Sequence, residues 1–267
     1  MVELGVGKNM VLAIRHWCEI LELIARESNG SNALRPTTLG ERLFGEDGWD
    51  PFIEFPGTPW LLHWLMTRRI ESASAWYLLF TVWSAGTFTR DALVDWLLKQ
   101  AERNASRATR GSMKRDVGVL LRTYLPTAGI SDRVAPEETF DSPLAELGLL
   151  EEAERGVYSL PVGRKESLPE AVLHFALLEH LDHADARASI SFEEVLYGPG
   201  SPGAAFKLSE STLAERLERL PADLGLQFDE TAGMRSLLGR ADGTQALRMA
   251  LLESYYRGET VGSQRDR

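Results

Sequence analysis

A single cysteine, Cys18, in 267 residues excludes a disulfide framework and a cysteine-rich zinc site, and makes a reducing cytoplasm the natural address. No run of about 18 apolar residues exists. The longest candidate, from Trp76 to Gly86, is interrupted by Thr81 and Ser84, so no membrane span and no membrane partner are expected. The amino terminus carries Glu3 and Lys8 around an amphipathic stretch, which is unlike a signal peptide. No Gly-x-Ser-x-Gly elbow is present for a Ser/His/Asp hydrolase. None of the five lysines has Asp or Glu two positions before it. That removes a common signature of metal-dependent nucleases, where a metal activates water and an ammonium offsets charge on the phosphate.

What is present is the composition of a globular protein, 44% hydrophobic and 25% charged, with length enough for one large core or two modest ones. The net charge of −10 is unevenly spread. Residues 1–134 hold 16 Lys and Arg against 15 Asp and Glu, whereas the remainder holds 13 against 24. Within the first part, Lys99 to Arg122 carries seven basic residues and two acidic ones, a local excess that outweighs the acidic total as a guide to partners.

The most informative stretch follows Gly5-Val6-Gly7-Lys8-Asn9. It is not a phosphate loop, because only Val6 separates the glycines and Asn9 follows the lysine, so no nucleotide cofactor is expected. A glycine turn leads instead into a helix on which Met10, Ile14, Trp17, Cys18, Leu21 and Ile24 recur at three- and four-residue steps as a packing face. Lys8, Asn9 and Arg15 fall elsewhere, as base-reading and phosphate-binding groups do on a recognition helix. A loop at Asn29 to Asn32, an extended piece at Ala33 to Thr38 and a helical turn to Phe44 complete the rear half of a winged helix. An ordinary amphipathic core helix fits the periodicity equally well. A helix-turn-helix also needs an earlier helix, and only four residues precede Gly5.

Further along, Thr58-Pro59 opens a helix to about Arg69 that is apolar nearly all round, with His63 read as a satisfied core histidine. Helices follow at Ala75 to Trp83, Arg90 to Asn104 and Met113 to Tyr124. Arg103, Arg107, Arg110 and Lys114, spaced 4, 3 and 4, would share one face if Gly111-Ser112 did not break the helix. They are a solvated face or a phosphate track. Turn residues at Ile130 to Pro136 mark a domain boundary before the acidic run Glu137, Glu138 and Asp141. Beyond it, a short helix ends at Gly148, Gly156 to Pro161 reads as a strand, and helices are expected at Leu168 to Asp182, Ser189 to Tyr197, Ser209 to Leu220 and Thr244 to Tyr256. His180-Leu181-Asp182-His183 with Asp185 is compatible with a divalent ion, and reads more simply as a helix carboxyl end where histidine suits the dipole.

The blocks Gly5 to Val11 with Ile14-Arg15 and Trp17, then Asp50-Pro51 with Glu54, Pro56, Thr58 and Trp60-Leu61-Leu62-His63, then Lys114-Arg115-Asp116-Val117 with Arg122-Thr123-Tyr124, resemble the SspB-type family of single-strand DNA phosphorothioation systems. Weaker likeness continues through Ser201-Pro202-Gly203, Phe206-Lys207-Leu208-Ser209 and Thr231-Ala232-Gly233. The resemblance implies a DNA-nicking endonuclease of a phage-defence system, opening one strand for sulfur incorporation. A cysteine desulfurase, an ATPase and a sulfurtransferase-like protein would be its partners. It implies a divalent metal, Mg²⁺ or Mn²⁺, with ligands unknown, and leaves a homodimer open. Family members usually have a further stretch with His, Thr-Phe and Arg before the Gly-x-Gly-Lys, which this sequence lacks.

The expected fold is mainly α, with a winged-helix-like DNA-binding domain over residues 1–134 and an acidic helical domain with short strands over 135–267. DNA contacts are assigned to Lys8, Asn9, Arg15, Arg103, Arg107, Arg110, Lys114, Arg115 and Arg122. Asp116 is the candidate catalytic or metal-ligating carboxylate, or else a salt-bridge partner of the arginines beside it. A non-catalytic DNA-binding adaptor is the alternative function. A scaffold whose basic face meets an acidic protein is a third.

Overall fold

Hydroxyl side chains set where many of the helices begin. Thr37, Thr89, Thr109, Ser191, Ser201 and Ser209 each accept a hydrogen bond from the backbone N–H three residues on, which satisfies one donor that a helix start leaves free. Ser112 returns the favour at Thr109, closing a capping box. The computed structural model describes residues 7–27, 33–71, 73–104, 107–126, 141–183, 189–231, 233–239 and 244–258. The loop predicted at 29–32, the boundary at 130–136, the acidic run at 137–140 and Asp185 lie outside these residues.

The first helix, α1 (Lys8–Ile20), is followed by strands β1 (Ile24–Arg26) and β2 (Leu34–Pro36). Helices α2 (Thr38–Phe44), α3 (Gly57–Thr67) and α4 (Ser74–Tyr77) come next, and α4 runs into a π-helical turn at Leu78–Val82. Strand β3 (Thr87–Thr89) precedes α5 (Arg90–Arg103) and α6 (Arg110–Tyr124). A 3-10 turn (Pro143–Leu147) leads to β4 (Glu151–Glu154), β5 (Val157–Ser159) and α7 (Glu170–His183). The remaining elements are β6 (Ser189–Ser191), α8 (Phe192–Tyr197), α9 (Pro202–Ala205), α10 (Glu210–Glu218), β7 (Leu226–Thr231), β8 (Met234–Gly239) and α11 (Thr244–Tyr256). Among the described residues three small antiparallel sheets form, in the orders β1-β2, β3-β5-β4 and β6-β8-β7. The chain is thus mainly helical, as expected, with short strands.

Every residue of α3 is buried, which follows from its lack of a polar face. Around it pack α4, α7, α9 and the 3-10 turn, while α7 lies against α11. Trp60, Trp64, Phe80, Tyr124 and Phe206 are the largest side chains in this centre. The halves predicted as separate domains share one continuous apolar cluster. They are also joined by β3 pairing with β5, by Arg42 donating to Glu253 at 2.7 Å, and by the Gly57 N–H donating to the Tyr255 hydroxyl at 2.9 Å.

Several expectations are corrected. The first helix stops at Ile20 because Glu22 takes a left-handed φ of 54° and Ile24 is drawn into a strand. Packing explains that strand. At Gly40 an added Cβ would stand 2.0 Å from the Leu23 carbonyl oxygen, so α2 presses on the segment leaving α1 and holds it extended. Met10 and Ile14, predicted to pack, are 56% and 47% exposed; only Trp17, Cys18, Ile20 and Leu21 reach the core. Ser189–Ser191 is a strand rather than the start of a helix, because β8 offers it a ladder. The β7–β8 hairpin, turning at Gly233 with φ 78°, has no counterpart among the sequence expectations.

A candidate nucleic-acid interface

The basic segment resolves into two neighbouring helices instead of one. Asn104 ends α5 and Thr109 starts α6, so the break falls before Arg110, not at Gly111-Ser112. Arg103 and Lys114 therefore belong to different helices, and the predicted stripe of four is corrected to two short sets. Arg110 and Lys114 turn back onto α5, pairing with Asp95 and with Asp91, the latter at 3.6 Å. Arg90 also crosses over, donating to the Lys114 carbonyl at 3.1 Å. These contacts tie the helices together and neutralise part of the positive charge.

Arg103, Arg107, Arg115 and Arg122 are exposed, and none makes an ion pair among the described residues. Lys8 and Asn9 are exposed at the start of α1. Arg15 lies farther along the helix, where it is held by Glu19 at 3.1 Å. The second half of α1 approaches α6 and α4. His16 on α1 is near enough to Asp116 on α6 for its charge to act on that carboxyl, and Trp17 sits edge-on to Trp76 with centroids 5.2 Å apart. Asp116 has its pKa raised by desolvation, against the downward pull of Arg115 and His16. It is a lone carboxylate facing cations, so it does not make a divalent-metal site by itself. Among the described residues no three His, Cys, Asp or Glu side chains converge on a metal position. The His180–Asp182 segment is engaged otherwise: Asp182 pairs with Arg248 at 3.0 Å and accepts from the Thr244 hydroxyl.

Beneath this surface lies a polar interior. The His63 Nε2–H donates to the Ala205 carbonyl at 2.9 Å, since that oxygen can only accept. Nδ1 must then accept from the Tyr124 hydroxyl, 2.6 Å away. Burial pushes the His63 pKa down to about 3, fixing the neutral ring. Its reading as a satisfied core histidine holds. Asp50 accepts from the N–H groups of Glu54 and Phe55 at 2.7 and 3.1 Å and from the Thr58 hydroxyl, which positions the start of α3. Glu179 of α7 accepts from Trp64 Nε1 at 2.7 Å and pairs with buried Arg68, whose guanidinium also meets Glu22 at 2.5 Å.

The family model described as protein of unknown function DUF4007 matches residues 1–256. This chain belongs to the DUF4007 family. Two solved structures resemble this DUF4007 member over 96% of its length and 78% of theirs. The magnesium ion-bound SspB crystal structure does so at 30% identity and a TM-score of 0.83, and the SspB crystal structure at 31% and 0.81. The DUF4007 chain is therefore SspB-like in fold and sequence, as its motifs implied. No curated protein matches it. No helix among its described residues is long and apolar enough to cross a membrane.

Sequence reasoning missed two features of this DUF4007 fold: the charged network around Glu179 and a pair of lysines, Lys165 and Lys207, in left-handed backbone. Lys207 could have been noticed, because it stands alone between apolar Phe206 and Leu208.

Proposed function

We propose that this chain binds DNA as the SspB-like component of a phosphorothioation and phage-defence system, and that it nicks one strand to admit sulfur. The exposed arginines Arg103, Arg107, Arg115 and Arg122, which make no ion pair among the described residues, are the observation that carries the DNA reading. Exposed cations attract polyphosphate and release its counterions on binding. Lys8, Asn9 and Arg115 are assigned to the duplex, with Arg103, Arg107 and Arg122 following the backbone. Arg15, Arg110 and Lys114 take part by exchanging their present carboxylates for phosphates. A winged-helix-like presentation is supported by α1 with the β1–β2 ladder behind it.

Likeness to SspB over nearly the whole chain supports the place in that system, with a cysteine desulfurase, an ATPase and a sulfurtransferase-like protein as partners. Asp116 is retained as the carboxylate to test for catalysis. Among the described residues no three acidic, imidazole or thiol side chains converge on a metal position. A non-catalytic adaptor that recruits the modifying partners is the second reading, because the exposed arginines account for DNA binding without a catalytic step. Supercoiled plasmid incubated with purified protein and Mg²⁺ or Mn²⁺ separates the two. Relaxed circles that disappear with Asp116→Asn support nicking. Unchanged supercoils with a retained gel shift support the adaptor, and no shift at low salt removes DNA from the account.

A further inference from the structure

Among the described residues, Lys207 is a largely buried lysine that faces no carboxylate. It is 9% exposed, and its ammonium makes no hydrogen bond or ion pair among the described residues. Its strongest charged neighbour is another cation, Lys165. Burying an ammonium costs several kcal/mol unless it is paired and hydrogen-bonded, so an unpaired one beside a like charge is costly to keep.

The surroundings deepen the deficit. Lys165 donates to the Gly148 carbonyl at 2.8 Å, and Glu151 is the only carboxylate among the described residues whose charge acts on it appreciably. Arg216 donates through Nη2 to the Lys165 carbonyl at 3.3 Å and faces Glu170 at 3.5 Å, while its Nη1 is buried without a partner among the described residues. Lys165 and Lys207 have φ of 50° and 54°, a left-handed conformation unfavourable for a lysine. Two backbone links brace it. The Gly163 N–H donates to the Lys207 carbonyl at 2.9 Å and the Ser209 N–H to the Gly163 carbonyl at 3.2 Å, so the two loops are clamped side by side.

We infer that Lys207 and Lys165 form a binding site for a phosphate-type oxyanion. Two ammonium groups match an anion with several acceptor oxygens and up to two charges better than a carboxylate or a halide. The ligand is either a free phosphate or a phosphodiester of a nucleic-acid backbone. The second source rests on the DNA-binding reading above; the first does not.

Heat unfolding of the full chain at pH 7 tests the site, with inorganic phosphate against chloride at matched ionic strength. Saturable stabilisation by phosphate is expected in the natural protein, with affinity reduced roughly tenfold or more in Lys207→Met. In chloride alone Lys207→Met should unfold no earlier than the natural protein, since it removes an uncompensated buried charge. If that variant does not fold, Lys165→Gln, at a more open position, must show the loss. Phosphate that moves the natural protein no more than chloride does, or moves both proteins equally, overturns the site. Fluorescence anisotropy with a short oligonucleotide identifies the source. Competition by phosphate and weaker binding by Lys207→Met assign the site to backbone phosphate, and unchanged DNA affinity assigns it to free phosphate. Failure of the natural protein to bind DNA at low salt would remove the DNA reading while leaving the thermal result standing.

Discussion

The Tyr124 hydroxyl of α6 and the His63 ring of α3 share a 2.6 Å hydrogen bond at the centre of the protein, and its direction is set by the carbonyl on the other side of the ring. The helix that carries Arg115 and Arg122 is thereby locked to the most deeply buried helix of the fold. Tyr124→Phe would leave Nδ1 buried without a donor. A loss of about 1–3 kcal/mol is expected in urea unfolding. An unchanged midpoint would contradict the assigned tautomer.

Acid should destabilise the fold in a defined window. Burial lowers the pKa of His63 to about 3 and that of His174 to about 4, from an ordinary value of 6.5, with Arg216 adding to the effect at His174. The unfolded chain then binds more protons than the folded one, so stability is full above about 6.5 and falls as pH drops towards those values. Between about 6 and 4 the two groups together contribute a slope of at most about 2.7 kcal/mol per pH unit. Denaturation midpoints measured from about pH 7 to about pH 4 check this, and His63→Gln should make the dependence shallower.

The Glu179 network should be far more sensitive to breaking than to removal. Its carboxylate serves Trp64 and Arg68, with Arg248 at 3.8 Å and Arg69 at 4.0 Å. Glu179→Gln removes one of the two carboxylates that neutralise buried Arg68 and leaves Glu22 as the other, at an expected cost of about 1–3 kcal/mol. Glu179→Met with Arg68→Met should cost less than the sum of the single changes in a double-mutant cycle. Strict additivity would show that the pair is not coupled.

DNA affinity should divide the arginines by their present partners. Arg115→Gln and Arg122→Gln are expected to weaken binding and to reduce the salt slope by about 0.9 for each duplex phosphate no longer neutralised. Arg110→Gln should matter less, because Arg110 must first leave Asp95. Anisotropy titrations between about 50 and about 200 mM salt give both quantities. Equal reductions at all three positions would argue that the pairing with Asp95 is of no consequence.

Much of the fold was legible in the chain. Apolar periodicity and the turns at Gly148 and Gly198 located most helices within a few residues, because those signals act over a few turns of backbone. The family blocks were legible too. Where α1 ends was not, since Ile24 continues the helical pattern and only the approach of Gly40 to Leu23 makes it a strand. Nor could spacing reveal that Arg110 is tied to Asp95 while Arg115 makes no ion pair among the described residues, or that Lys207 and Lys165, 42 positions apart, lie together. Local sequence determined what each segment prefers. Which charges are balanced was decided only when distant segments came together, because electrostatic compensation depends on distance in space.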